Sequence, residues 1–294
     1  MSGVRRPVLA GSWYPGAPEI LARQVDGYLA AAPAAHRPAG RPLVAVAPHA
    51  GYVYSGPTAG KLFGLLAGPA PRTVFILAPN HRAAIDRVAL TDDRAFDTPL
   101  GRVDVDADAG RTLADSPPFT YDTAAHAGEH AIEIQLPFLQ RVWPDATPAI
   151  VPLLVPRLTA AQRRQAAATL AAATGPDTLL LVSTDFTHYG AAYGYLPFQR
   201  DVPAALERLD TGAILKILAG DGDGLVAYGE ETGITMCGLQ AAALALGSGL
   251  PAGYEGALID YSRSGDREGD YSLSVSYAAI LLCTGTGAEG EQTT

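Results

Sequence analysis

Three histidines that close apolar runs carry the strongest chemical signal in the sequence. The apolar run Leu43–Ala47 leads into Pro48-His49, and Thr73–Ala78 leads into Pro79-Asn80-His81. A third run, Thr178–Val182, leads into Ser183, Thr184, Asp185 and His188. Three of the six histidines therefore follow an apolar run closely. In open α/β sheets the carboxyl ends of strands are where sites form. If the strands are neighbours, the His49 and His81 imidazoles converge, and a pair of neutral imidazoles is a ready ligand set for a divalent transition metal. Cys237 lies in Gly233-Ile234-Thr235-Met236-Cys237-Gly238, just before an alanine-rich helical pattern. A thiol near a helix N-terminus gains thiolate character, and the thiolate is both nucleophile and metal ligand. The same position also suits a small buried hydrophobe, and Cys283, inside an apolar run, reads that way.

Further polar residues fall near these. Asp185 and His188 suit a base and its orienting carboxylate, or a turn in which Asp185 caps a helix. Glu129-His130 precedes an amphipathic segment, where Glu129 could complement a helix dipole and His130 could line the same cleft. Asn80 adjoins His81, and Tyr52, Tyr54 and Tyr189 could shape an aromatic or phenolic substrate pocket or serve as packing. His126 and His36, in Gly/Ala and Pro-rich surroundings, read as solvated. No Gly-x-Gly-x-x-Gly, Walker A, Gly-x-Ser-x-Gly or Cys-x-x-Cys pattern is present.

The elements that must position these groups alternate between buried strands and helices, the pattern of an α/β sheet covered by helices. Strands are predicted at Leu43–Ala47, Thr73–Ala78, Val88–Leu90, Gly101–Val105, Ala149–Val155, Thr178–Val182, Glu255–Ser262 and Tyr271–Leu282. Pro152 argues for an edge or a bend in its strand. Helices are predicted from Ser55-Gly56-Pro57 through Leu66, over Glu129–Leu136 with a kink at Pro137, and over Ala160–Ala173, Asp201–Leu218 and Met236–Leu246. No repeat or composition break divides the 294 residues, so a single domain over 1–294 is expected, with 284–294 a disordered tail.

Composition narrows the function classes. A formal net charge of -9 and a pI near 5.1 argue against a nucleic-acid backbone as partner, and the Arg5-Arg6 and Arg163-Arg164 pairs read as solvated surface. Two cysteines form no disulfide framework, and no apolar run is long enough to span a membrane, which points to a cytoplasmic protein.

Read together, the blocks Ala10-Gly11-Ser12-Trp13-Tyr14, Pro48-His49-Ala50-Gly51-Tyr52-Val53-Tyr54-Ser55-Gly56, Ala78-Pro79-Asn80-His81, Glu129-His130-Ala131-Ile132-Glu133-Ile134-Gln135-Leu136-Pro137-Phe138-Leu139, Ser183-Thr184-Asp185-Phe186-Thr187-His188-Tyr189-Gly190 and Thr235-Met236-Cys237-Gly238 resemble the Memo family. Its prokaryotic members are also called AmmeMemoRadiSam system protein B. The resemblance covers about residues 5–282. It implies a three-layer α/β/α fold with a mostly buried central mixed sheet, similar to class III extradiol dioxygenases. It also implies a metal held by His49, His81 and Cys237, with Asp185, His188, Glu129 and His130 as catalytic neighbours. Fe(II) is the cofactor such enzymes use; a cysteine in place of their carboxylate shifts preference toward copper or zinc. The expected function is thus a nonheme iron or copper oxidoreductase, dioxygenase-like, acting on a small aromatic or phenolic molecule in a bacterial cytoplasm. The alternatives are a non-catalytic metal- or peptide-binding protein working with AMMECR-type and radical-SAM partners, and a metal-independent hydrolase using Cys237 with His188. A homo-oligomer is compatible with either.

Overall fold

The computed structural model describes residues 3–286 of the chain. Among the described residues twelve strands form in chain order: β1 (Val4–Arg5), β2 (Pro42–Ala47), β3 (Thr73–Pro79), β4 (Val88–Leu90), β5 (Ala95–Thr98), β6 (Gly101–Asp104), β7 (Phe119–Tyr121), β8 (Ala149–Val155), β9 (Thr178–Ser183), β10 (His188–Gly190), β11 (Glu255–Arg263) and β12 (Leu273–Cys283). Nine of them make one mixed sheet in the order β10-β12-β2-β9-β3-β8-β4-β7, with β11 on the outer edge of β12. Its centre, β2-β9-β3-β8, is parallel. β12 runs antiparallel to β2, β10 and β11. The remaining strands, β1, β5 and β6, form a separate small sheet.

Side chains alternate across the central strands, so each strand feeds two cores. Val44, Val46, Phe75, Leu77, Leu180, Val182, Ile280 and Leu282 face one of them. There they meet helices Ala160–Ala173, Val202–Leu218 and Leu239–Gly247. Ala45, Ala47, Val74, Ile76, Leu179, Leu181, Ala279 and Leu281 face the other, under helices Pro18–Leu29, Tyr52–Leu65 and Leu136–Val142. The predicted three-layer α/β/α arrangement with a buried mixed sheet is the one observed. Among the described residues no helix is long and apolar enough to cross a membrane.

Several local expectations are corrected. The helix expected from Ser55 begins at Tyr52 and contains Pro57. Its start is held from outside, because Tyr52 donates its N–H to the Trp13 carbonyl and its hydroxyl to that of Ile134. Pro137 does not kink a helix; it sits in the first turn of Leu136–Val142, where its missing N–H costs nothing. β8 lies inside the sheet although it contains Pro152. Its outer side is bridged at Ile150 to Val105 and at Leu154 to Ala89, and Pro152 falls between. The helix Gly222–Thr232 and strands β1, β5, β7 and β10 were not predicted. Arg5 and Arg163 are not solvated but buried against Glu133 and Asp223. Past β12, Thr284 and Gly285 donate their N–H groups to the carbonyls of Arg41 and Ala39. The rest of the tail, from 287, lies outside the described residues.

Candidate metal centre

β2, β9 and β3 are adjacent and parallel, so the residues that leave their carboxyl ends share one rim of the sheet. His49 leaves β2, His81 leaves β3, and Ser183 ends β9. The loop before the Glu133–Gln135 turn brings a third imidazole, His130. One ring nitrogen from each of His49, His81 and His130 lies within 4.8 Å of the others. The rings of His81 and His130 stack at 4.7 Å, and His49 stands edge-on to both at 5.3 and 5.5 Å.

Hydrogen-bond partners dictate which nitrogen of the His49 and His81 rings is free. The Ser183 hydroxyl donates its one proton to the Ala131 carbonyl at 2.6 Å. It must therefore accept from the Gln135 amide at 2.8 Å and from His49 Nδ1 at 2.9 Å. The Gln135 amide is itself oriented by the Pro48 carbonyl, which only an N–H can face. His49 thus carries its proton on Nδ1 and keeps a lone pair on Nε2. Glu129 does the same for the His81 ring. Its Oε1 accepts from His81 Nδ1 at 3.0 Å and lies 3.2 Å from His130 Nδ1. The backbone N–H groups of His81, His130 and Ala131 also point at this carboxylate. Burial by itself would raise the Glu129 pKa, but the bonds from His81 and Ala131 outweigh it and bring it down to about 2. An anchored Nδ1–H with a free Nε2 is the arrangement that metal-ligating histidines adopt. Two of the three, His49 and His130, are also kept neutral. Burial, then the neighbouring rings, lowers His49 well below its ordinary value, and burial brings His130 to about 4.

His130, expected as a catalytic neighbour, is therefore one of the three converging rings. Cys237, expected as a ligand beside His49 and His81, touches one of them. Its Sγ lies 3.2 Å from His49 Nε2 and accepts the Asp185 N–H at 3.2 Å. The lowered thiol pKa expected from the following helix is not found. Burial, with the Asp185 carboxylate beside it, pushes Cys237 up to about 12. Cys283 is buried in β12, as expected.

Asp185 and His188 are both present at the rim, but they are not bonded as base and orienter. Asp185 Oδ1 accepts the His49 N–H at 2.8 Å and fixes that loop. His188 Nδ1 faces two carbonyls, Phe186 at 3.1 Å and Thr235 at 3.2 Å, so it carries the proton and Nε2 is the acceptor. Thr235 also brackets the His188 backbone, accepting its N–H and donating to its carbonyl, both at 2.8 Å.

A cavity of about 700 Å³ opens over the histidines, lined by Trp13, Tyr54, Tyr193 and Tyr277 together with His49, His81, His130, Asp185 and His188. The Trp13 ring meets His130 edge-on at 4.8 Å, and Tyr193 meets His188 at 5.0 Å. Of the tyrosines expected here, Tyr54 alone lines the cavity. Tyr52 is buried in the core, and Tyr189 is buried with its hydroxyl on the Phe198 carbonyl. Asn80 instead closes a turn onto Ala83 and, with Cys237, lines a neighbouring cavity of about 710 Å³. His126, expected to be solvated, is buried with Nε2 on the Ala89 carbonyl. Of His36 the backbone alone is described, in the short turn Ala34–His36.

The N-terminal segment that carries Trp13 is pinned by a residue sequence reasoning did not single out. Glu133, fully buried, pairs with Arg5, accepts the N–H groups of Val8 and Leu9, and takes the Tyr14 hydroxyl at 2.6 Å. Glu133 and Gln135 alternate with Ile132, Ile134 and Leu136. Polar residues punctuating an apolar run were the signal for buried, partnered groups.

A family model described as Memo-like protein matches residues 5–281. A MEMO1 family protein of Methanopyrus kandleri is 35% identical over 96% of this chain and 99% of its own length. One of Thermococcus onnurineus is 33% identical over 95% and 99%. Among solved structures, an uncharacterized protein of Escherichia coli K12 superposes with a TM-score of 0.52 at 16% identity, over 83% of this chain and 100% of its own, a likeness of fold. With its ordered motifs, its fold and matches of this length and identity, the chain belongs to the Memo family.

Proposed function

We propose that this protein holds one transition-metal ion on His49, His81 and His130, with the Cys237 sulfur beside His49, and acts as a metal-dependent oxidoreductase on a small phenolic molecule. The observation that carries the reading is the set of three imidazoles whose ring nitrogens lie within 4.8 Å, their Nδ1 atoms facing Ser183 and Glu129. Imidazole suits iron, copper and zinc alike, and a thiolate beside it favours copper or zinc. Fe(II) or copper, once bound, would supply redox and Lewis-acid chemistry.

The chain's own groups account for the rest. Ser183 holds the His49 ring and Glu129 the His81 ring in one tautomer, with the Glu129 carboxylate beside His130. His188, with Nε2 free, is placed to take a proton from a phenol entering the cleft. Trp13, Tyr54, Tyr193 and Tyr277 give that phenol an aromatic wall. The two cysteines are both free, in keeping with the reducing cytoplasm in which we place the protein. The test is oxygen consumption by Fe(II)- or Cu-loaded protein against a panel of catechols and phenols, with His188→Ala beside it. Turnover that falls by 10²–10⁴-fold in the variant, the usual worth of a general base, supports the reading. Stoichiometric metal with no turnover across the panel would leave a non-catalytic metal-binding protein.

A further inference from the structure

The cleft over the histidines is charged unevenly. Its floor is buried: His49, with Asp185 beside it. Its mouth carries five large apolar or aromatic side chains, Trp13, Val53, Tyr54, Tyr193 and Leu273, each more than a third exposed. Glu268 and Asp270, both exposed, stand at the same mouth. Among the described residues that line the cleft there is no lysine or arginine. Arg82 and Arg267 come near enough to bear on His130 and Tyr54, but neither lines it. Glu268 is close enough to Tyr54 to raise its phenol pKa, which puts that carboxylate against the aromatic wall.

A molecule filling this space meets ligand atoms at one end, aromatic faces along its length and two carboxylates at the other. We propose that the cleft selects a phenol bearing a positive charge at the end remote from the histidines, an aryl-alkylammonium, over one bearing a carboxylate or phosphate there. The inference rests on the reading of this cleft as the substrate site. The aromatic wall takes the ring, and Tyr54, Tyr193 and Trp13 also attract an ammonium through their faces. Each exposed charge pair changes affinity by a few-fold at most. Exchanging attraction for repulsion at two carboxylates should therefore separate the two ligand classes by roughly tenfold at low salt.

Dopamine and 3,4-dihydroxyphenylacetate carry the same ring and opposite tails. Their affinities are to be measured by calorimetry with zinc-loaded protein under anaerobic conditions, which prevents catechol oxidation, and again with metal-free protein. Metal content is measured on the same samples. The inference requires dopamine to bind roughly tenfold tighter, the ratio to shrink as salt is raised, and the ratio to vanish in Glu268→Gln/Asp270→Asn with the unfolding midpoint unchanged. Equal binding, tighter binding of the acid, or no binding of either at millimolar concentration overturns it. So does a ratio that survives the double substitution. If zinc fails to bind but the amine preference holds in metal-free protein, the metal reading fails and this inference stands.

Discussion

Replacing Glu129 by glutamine perturbs the hub on which two of the three rings depend. Its Oε2 accepts the His81 N–H at 2.6 Å, and its Oε1 accepts the N–H groups of His130 and Ala131 at 2.7 and 3.0 Å and the His81 ring at 3.0 Å. Every neighbour is a donor. A glutamine NH₂ at either position must therefore face an N–H, and the milder choice, at Oε2, still forfeits a bond to a charged acceptor in a buried site. Such a bond is worth about 1.5–3 kcal/mol, so stability should fall by about that much in urea unfolding. The metal should suffer separately, because the carboxylate also fixes the His81 tautomer. Loss of such a partner typically costs about 10–100-fold in metal affinity, or about 1.4–2.8 kcal/mol. Anaerobic competition against a chromophoric chelator, with zinc or Fe(II), measures it. A folded Glu129→Gln protein that binds metal within about threefold of wild type would refute the assignment of Glu129 as the group that holds the ligands.

Three further outcomes follow from the same geometry. Ser183→Ala removes the acceptor of His49 Nδ1–H, so ¹⁵N spectra should show His49 losing its single tautomer, with metal affinity down about tenfold and recovered in Ser183→Thr. Glu133→Ala leaves Arg5 buried and unpaired, which should cost about 3–5 kcal/mol in urea unfolding; a loss under about 1 kcal/mol would mean the pair is solvated. Burial lowers the His126 pKa from 6.5 to about 4 in the fold. The unfolded chain then binds the extra proton first, so stability is lost as pH falls from about 6.5 toward 4, by about 3 kcal/mol at full effect. His126→Phe should lose less than wild type over that window, and identical pH profiles would count against it.

The reach and the limits of the sequence both have physical causes. β2, β3 and β9 were legible because fully buried parallel strands are continuous apolar runs, and the ionisable residues after them then fell at one rim. Pro152 misled because the rule about proline concerns the local ladder, and β8 has a gap in its outer pairing where that proline sits. Of the small sheet, β6 was legible but β1 and β5 were missed, because their parallel partners Val4–Arg5 and Ala95–Phe96 are about ninety residues apart and very short. At the site, His49 and His81 were legible individually. The ranking of His130 over Cys237 as the third converging group was not, since it depends on how the 129–132 segment crosses the rim. Nor was the split among Tyr52, Tyr54 and Tyr189: all three types suit a wall or a core, and their exposure is set by helix start and strand register rather than by composition. Arg5 reads as a surface charge until its partner Glu133, 128 residues away, is known.

Metal content per chain tests the central claim most directly. Protein purified anaerobically, loaded with Fe(II) or Cu(I), desalted and analysed by mass spectrometry should carry about one metal ion. His49→Ala, His81→Ala and His130→Ala should each lose it, and Cys237→Ala should show whether the sulfur is a further ligand. Stoichiometric metal that survives all three histidine substitutions, or no metal in folded wild-type protein, would contradict the account.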